Sequence, residues 1–375
     1  MSTLAATVLL LLFFGYYLKF LWNVREGLRF TAMPSSSNIP FVSVIVAARD
    51  EADNIQKCVK ALTQQSYDPT RYEIVIVDDH SHDRTRELAN ELAARDNPPK
   101  TLVLSLTEHN GLNGKPAAIA LGIENSSGEI ILCTDADCTV PSGWIASMAG
   151  CFEPSVGFVA GPVLERPSDS FLSHLESLEF LGLMTTGAGL IGSGTPIICN
   201  GANIAYRRAA FQQVNGYGNG TGSCDDETLM QRIVTRKAGR VVFNSDRKAV
   251  VTTVSPPTLR AFWRQRTRWA SKRGHYEDGS ILRRLLFLYG FFAVLFLATF
   301  LAVLEPGMSF PLATVVLLKM LGEWSVLTRG SDLFQQRVRP GQFLIAELFH
   351  VPYIVFAALV GQFSPMRWKN RKLEQ

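Results

Sequence analysis

The chain has 375 residues, 47% of them hydrophobic and 19% charged, with a formal net charge of +4. That length admits one large domain or two smaller ones, and the apolar excess sits mainly at the two ends. No long Lys/Arg run with interleaved aromatics crosses the polar middle, which argues against nucleic acid as a partner. The basic residues gather instead beside the apolar segments, which suits an anionic membrane surface or a phosphorylated substrate.

Leu4 to Trp22 is almost wholly apolar, close to the ~20 residues that a spanning helix needs. A cleaved leader starts basic and ends in small residues. Here the start, MSTLAA, lacks Lys and Arg, and Lys19, Arg25 and Arg29 come afterwards. The segment therefore reads as an uncleaved anchor, with the N-terminus outside and Arg25 onward in the cytosol.

The polar middle follows. From Pro40 to about Ala160 short β-branched runs alternate with helical patterns. FVSVIVAA (41–48), EIVIVD (73–78), TLVLSL (101–106) and EIILCTD (129–135) read as strands buried on both faces of a parallel sheet, and 52–65, 83–95 and 115–125 read as helices between them. This alternation predicts a doubly wound α/β sheet with ligands at the carboxyl ends of its strands. Arg49, Asp50 and Glu51 follow the first strand, Asp78 and Asp79 close the second, and Asp135 and Asp137 close the fourth. A single loop acid is ordinarily solvated surface, but this topology aims three acidic clusters at one crevice.

Each cluster has its own chemistry. Asp135-Ala136-Asp137 puts two carboxylates at a strand lip, where they can hold Mg²⁺ or Mn²⁺ while phosphate oxygens complete the octahedron. Asp-x-Asp recurs by chance in many proteins, so its weight here comes from the buried strand before it. Asp78-Asp79 precedes a helix start in which Ser81 is the expected N-cap and Asp83 faces the helix dipole. The two acids before that cap are left to accept hydrogen bonds from a base N–H and a ribose hydroxyl. Lys115 opens the third helix after HNGLNG, without P-loop spacing, and reads equally as a nucleotide-reaching lysine or a solvated one. In Cys224-Asp225-Asp226-Glu227 the acids suit a helix start, and a carboxylate there can also deprotonate an acceptor hydroxyl.

TLRAFWRQRTRWASKRG (258–274) places Arg260, Arg264, Arg268 and Lys272 near one helical face, with Phe262, Trp263 and Trp269 elsewhere. It reads as an interfacial amphipathic helix on lipid phosphates, and its Arg and Trp are also suited to a leaving diphosphate and an acceptor sugar. Three further apolar stretches follow at about 284–304, 309–327 and 343–363. Lys319 and Glu323 are spaced to pair at i,i+4, and Glu347 and His350 lie in the last stretch. Groups at that depth pack, snorkel or serve an acceptor channel. Strict alternation over four spans puts the basic tail, Arg367 to Lys372, outside, against the charge rule, so the topology is left open. Cys58, Cys133, Cys138, Cys151, Cys199 and Cys224 form no C-x-x-C pair or zinc spacing, which predicts free thiols in a reducing compartment.

VSVIVAARDEADNI, IVIVDDHSHDRT, GKPAAIALG, DAD, NGANIAYRR, CDDETLMQRI and QRTRW occur in the order of the inverting family-two glycosyltransferases of the GT-A fold. Together they cover about residues 41–269. The chain resembles the membrane-bound branch with cellulose, chitin and hyaluronan synthases and ceramide glucosyltransferases. The resemblance implies a GT-A (Rossmann-like) domain at 31–257, an anchor at 1–30, an interfacial helix at 258–280 and a transmembrane region at 281–375.

It also implies roles. Asp78, Asp79 and Lys115, with Arg49, Glu51 and Asp135, bind the nucleotide-sugar donor, and Asp135 and Asp137 hold a divalent metal. Asp226 is the general base with Asp225 beside it, and Gln265, Arg268 and Trp269 meet the diphosphate and acceptor. Where polymerising synthases read Thr-Glu-Asp this chain has Asp-Asp-Glu, which leaves the base open by one residue.

The expected activity is transfer of a sugar, from UDP by the family's habit, to a membrane-associated lipid or glycan. The modest number of C-terminal spans favours single transfer over processive polymer synthesis. A sugar nucleotidyltransferase would want a glycine-rich loop where this chain has AARDEA, and a non-catalytic membrane scaffold has no use for the acidic clusters.

Overall fold

The computed structural model describes residues 3–35, 39–94, 98–106, 112–218, 225–270, 278–363, 367–368 and 371–372. In chain order, α1 (Thr3–Gly27) is followed by β1 (Val42–Ala48), α2 (Ile55–Thr63), β2 (Tyr72–Asp78), α3 (Thr85–Ala93), β3 (Lys100–Ser105), α4 (Lys115–Glu124) and β4 (Ile130–Asp135). Next come α5 (Trp144–Ala149), β5 (Val156–Ala160), β6 (Val163–Arg166), α6 (Phe171–Gly192), β7 (Ile204–Arg207), α7 (Arg208–Gln213), α8 (Asp225–Thr235), β8 (Arg240–Phe243) and β9 (Val251–Val254). Then follow α9 (Leu259–Ala270), α10 (Gly279–Leu304), α11 (Ser309–Phe334), α12 (Pro340–Phe363) and the short pair β10 (Arg367–Trp368) and β11 (Arg371–Lys372).

The chain divides into two compact units. A sheet unit comprises Thr31–Arg166, Gly194–Ser255 and Pro365–Gln375, and a helical unit comprises Met1–Phe30, Pro167–Ser193 and Pro256–Ser364. The helical unit thus takes in Pro167–Ser193, a segment inside the 31–257 stretch that the sequence reading assigned to one α/β domain.

In the sheet unit seven strands lie in the order β3-β2-β1-β4-β7-β5-β8. β1 pairs in parallel with β2 and β4, β2 with β3, and β5 with β8, while β7 runs antiparallel between β4 and β5. The fold is therefore the expected GT-A-like α/β sheet, mostly parallel. β1, β2 and β4 are buried along nearly their whole length, as their unbroken Val/Ile runs require. TLVLSL departs from that expectation. β3 is an edge strand, half-buried in the middle and exposed at both ends, because it has a neighbour on one side only.

The strand order doubles back between β1 and β4, the switch point where such sheets open a crevice. In register, Ala48 of β1 faces Asp78 of β2, and Ala47 faces Asp135 of β4. The acids at the ends of β2 and β4 thus sit at nearly the same level on either side of β1.

Among the described residues, the helical unit holds four helices long and apolar enough to cross a membrane: Thr3–Phe30, Gly279–Leu304, Pro306–Phe334 and Pro340–Phe363. Leu12, Leu297, Phe300, Phe310, Leu321 and Leu348 are exposed on them, the surface expected of helices that meet lipid. Lys319 and Glu323 of α11 and Glu347 and His350 of α12 turn inward, whereas Lys19, Arg283, Arg284 and Asp332 stay exposed. Lys319 is 1% exposed, and its Nζ donates to Glu323 Oε2 (2.9 Å) and Glu347 Oε2 (2.6 Å). His350 Nδ1 lies 3.3 Å from Glu323 Oε2, and Tyr17 donates to Glu323 Oε1. The i,i+4 pair forms as expected, and α1, α11 and α12 meet around it. Snorkelling does not describe Lys319, because two carboxylates from different helices hold its ammonium inside.

α6 was not foreseen as a member of this unit, since His174, Glu176 and Glu179 interrupt its apolar run. It packs against α1 through glycines. A Cβ on Gly189 would lie 2.3 Å from the Val24 carbonyl oxygen, whereas one on Gly182 meets nothing within 4 Å. The two substitutions are therefore expected to differ in sign. Gly182→Ala gains up to about 1 kcal/mol of helix propensity, and Gly189→Ala forces two backbones apart at a cost of about 1–3 kcal/mol. Thermal unfolding in detergent measures both, and equal shifts would contradict the close packing of α1 and α6.

Candidate active site

The ends of β1 and β2 are laced together by their own loops. Asp50 (φ 50°) and His80 (φ 55°) are both left-handed, a conformation that non-glycine residues hold only where their surroundings over-determine it. Here the Asp50 N–H donates to Ser81 Oγ (3.0 Å), and the His82 N–H donates to Asp50 Oδ1 (2.8 Å). The Glu51 N–H donates to Thr85 Oγ1 (2.7 Å) and the Ala52 N–H to Asp83 Oδ2 (3.0 Å). Ser81 is therefore not the N-cap of α3. That helix begins four residues later, and the Ser81 hydroxyl is committed to the neighbouring loop. Asp83 does support the helix start, with Thr85 N–H donating to its Oδ1 at 3.0 Å. Burial opposes its ionisation, but the hydrogen bonds from Thr85 and Ala52 hold its carboxyl below the usual range.

Asp78 and Asp79 are both buried. Ser81 N–H approaches Asp78 Oδ2 at 3.4 Å, while Asp78 Oδ1 has no hydrogen-bond partner among the described residues. A buried carboxylate oxygen left open in this way suits an incoming donor such as a base N–H or a sugar hydroxyl. Arg49 NH1 donates to the Asp79 carbonyl (2.9 Å) and lies 3.7 Å from Asp79 Oδ1, with His80 Nδ1 3.0 Å from the same oxygen. Arg49 thus braces Asp79. Glu51 Oε2 accepts from Asn54 Nδ2 at 2.8 Å, which ties it to the start of α2.

A second group gathers at the ends of β4, α4 and α8. Gly114 precedes α4 at φ 66°, a glycine conformation, and Lys115 opens the helix with Nζ 2.6 Å from Asp135 Oδ1. The Gly201 N–H donates to Asp226 Oδ2 at 2.6 Å. A Cβ on Gly201 would come within 3.0 Å of Lys115 Nζ and 3.2 Å of Asp226 Oδ2. Lys115, Asp135, Asp226 and Gly201 therefore converge, although Lys115 and Asp226 lie 111 positions apart in the sequence. Gly201 was not singled out from sequence; its signal was the glycine of NGANI, which only the close approach of two side chains explains. Asp225 opens α8 beside Asp226, but its side chain lies outside the described residues, as do Cys224 and Lys272.

Asp135 and Asp137 carboxylate oxygens and Cys138 Sγ all lie within 4.8 Å of one another, with Asp137 exposed and Cys138 buried. The hard carboxylate pair is the donor set that Mg²⁺ or Mn²⁺ prefers. The five described cysteines are free and buried. Burial, reinforced by Asp137, Asp135 and Glu51, pushes the Cys58 thiol up to about 12, so it stays protonated and inert.

Gln265, Arg268 and Trp269 lie on α9, in the helical unit. Arg260 and Arg264 are exposed and Arg268 is half-buried. The arginine that α9 buries is Arg266, which the sequence reading passed over. Its signal was helical spacing, since 262, 266 and 269 share the aromatic face.

The sequence matches the description "Glycosyl transferase family 2" over residues 43–214 and "Glycosyl transferase family group 2" over residues 130–327. It is 40% identical over 111 residues to Glycosyltransferase AglE of Haloferax volcanii, covering 29% of this chain and 34% of that protein. It is 29% identical over 298 residues to an N-acetylglucosaminyltransferase of Rhizobium meliloti, covering 76% of this chain and 68% of that one. Across the first such relatives the match spans between 34% and 68% of their length. Among solved structures, a mannosyltransferase from Pyrobaculum calidifontis in complex with GDP-Man and Mn²⁺ superposes with a TM-score of 0.59 at 20% identity, covering 96% of this chain and 99% of that one. The parallel sheet, the acids at its strand ends and the family match over more than half the sequence agree, and the chain belongs to glycosyl transferase family group 2.

Proposed function

We propose that this protein is an inverting glycosyltransferase that moves a sugar, from UDP by preference, to a lipid or glycan acceptor at a membrane. The observation that carries the reading is the meeting of Lys115, Asp135, Gly201 and Asp226 at the mouth of the sheet. Asp78 and Asp79 supply acceptors for the nucleoside, with Arg49 and Glu51 ordering the loops around them. Asp135 and Asp137 are the residues that would hold a divalent ion. Their fit is supported by the mutual approach of their carboxylate oxygens. When bound, Mg²⁺ or Mn²⁺ supplies positive charge to the diphosphate oxygens as they leave.

The chain's own residues do the rest. Asp226, fixed by the Gly201 N–H, takes the proton of the acceptor hydroxyl as its oxygen bonds to the anomeric carbon and the bond to diphosphate breaks, inverting that carbon. Lys115 offsets the charge of the leaving diphosphate, and by the family resemblance Arg268 adds positive charge, Gln265 hydrogen-bonds the diphosphate and Trp269 packs on the acceptor. In this reading α1 anchors the sheet unit at the cytosolic face of the membrane.

The test incubates detergent-solubilised protein with Mg²⁺ or Mn²⁺, a panel of UDP-, GDP- and dTDP-sugars and membrane lipid extract, reading nucleoside diphosphate release. Metal-dependent release from one donor is expected, and the size of labelled product separates single transfer from polymer. If no donor is turned over under any of these conditions, the reading gives way to a non-catalytic membrane scaffold. Gly201→Ala supplies a finer check. The added methyl displaces Lys115 and Asp226, and turnover is expected to fall roughly 10–100-fold with the fold intact by circular dichroism.

A further inference from the structure

Arg266 is 3% exposed on a helix whose Arg260 and Arg264 are exposed and whose Arg268 is half-buried. Its guanidinium reaches Glu179 Oε2 on α6 through Nε (2.9 Å) and NH2 (2.6 Å), and its NH1 donates to Gln265 Oε1 at 2.6 Å. The same group lies 4.3 Å from the Trp269 ring centroid and 4.8 Å from that of Phe262. Glu179 is held in turn, since Tyr353 of α12 donates to its Oε1 at 3.0 Å. Phe180 of α6 packs beside Trp269 at 6.0 Å between centroids.

One planar cation therefore does two things at once. It pins the side-chain oxygen of Gln265, which turns the Gln265 amide N–H₂ away from the guanidinium, and it braces the face of Trp269. Lysine has neither the fork nor the plane to do both. The geometry points to Arg266 as a positioning residue for sugar transfer: it sets Gln265 and Trp269 in their working orientation and is itself set by Glu179 and Tyr353. The inference rests on the proposed roles of Gln265 and Trp269, and adds to them a support reaching from α9 into α6 and α12.

The test compares Arg266→Lys, Tyr353→Phe, Gln265→Ala and Trp269→Ala with the wild type in the nucleoside diphosphate release assay. Unfolding temperature and donor KM are measured on the same preparations. Arg266→Lys, which keeps the charge, is expected to lower kcat at least 10-fold. Tyr353→Phe, which removes one hydrogen bond and should fold normally, is expected to lower it 2- to 5-fold. Both should leave unfolding temperature within a few degrees of wild type.

A lowered unfolding temperature with kcat unchanged per folded molecule would make Arg266 a structural residue only and overturn the proposal. Wild-type kcat in Arg266→Lys alongside inactive Gln265→Ala and Trp269→Ala would overturn it while leaving the proposed function standing. Full activity in Gln265→Ala and Trp269→Ala would remove those residues from the reaction, and Arg266 with them.

Discussion

Asp226→Asn is expected to slow sugar transfer by about 10²–10⁴-fold, the range for loss of a general base, while donor affinity stays within a few-fold of wild type. Asparagine keeps the size of the side chain and an oxygen that can still accept the Gly201 N–H. The loop therefore keeps its place and only basicity is lost. The neighbouring acids make the experiment discriminating. Asp225 adjoins Asp226 on α8, and Glu227 is buried one residue further on. Transfer rate and donor binding, measured in Asp225→Asn, Asp226→Asn and Glu227→Gln, locate the base. A wild-type rate in Asp226→Asn with a collapse in either neighbour would move it by one position.

Asp135→Ala is expected to weaken donor binding by roughly two orders of magnitude and to abolish its dependence on Mg²⁺ or Mn²⁺. The carboxylate is the partner of Lys115 and half of the Asp135/Asp137 pair, so its loss removes a cation ligand and an ion pair together. Wild-type protein treated with EDTA should bind donor as weakly as the variant does in metal, by titration calorimetry. Lys115→Ala should weaken binding less, about 10-fold, and remain metal-dependent. Equal donor affinity with and without metal in the wild type would remove Asp135 and Asp137 from metal binding.

Much of this arrangement was legible in the residues. The runs at 41–48, 73–78 and 129–135 are continuous and β-branched because β1, β2 and β4 have neighbours on both sides and cover on both faces. Strand ends follow from where such runs stop, so Asp78, Asp79, Asp135 and Asp137 were placed at strand lips by pattern alone. The long apolar helices were equally plain, since ~20 apolar residues in succession admit few other readings. Ser81 failed as a cap for a local reason: a hydroxyl at a loop crossing has several N–H groups within reach, and the Asp50 N–H of the other loop took it.

Sequence alone, then, determined the α/β class, the strand-end acids, the apolar helices and the resemblance carried by their order, because all of these depend on residues adjacent in the chain or at fixed helical and strand periods. Tertiary structure decided the rest. It brought Gly201 and Asp226 to Lys115 and Asp135, and placed β3 at the sheet edge. It also drew α6 out of the middle segment into the helical unit, and turned Arg266 rather than Arg268 inward. Each of these depends on which surfaces pack together across long stretches of chain, where a contact of 3 Å is set by the fold and leaves no period in the sequence.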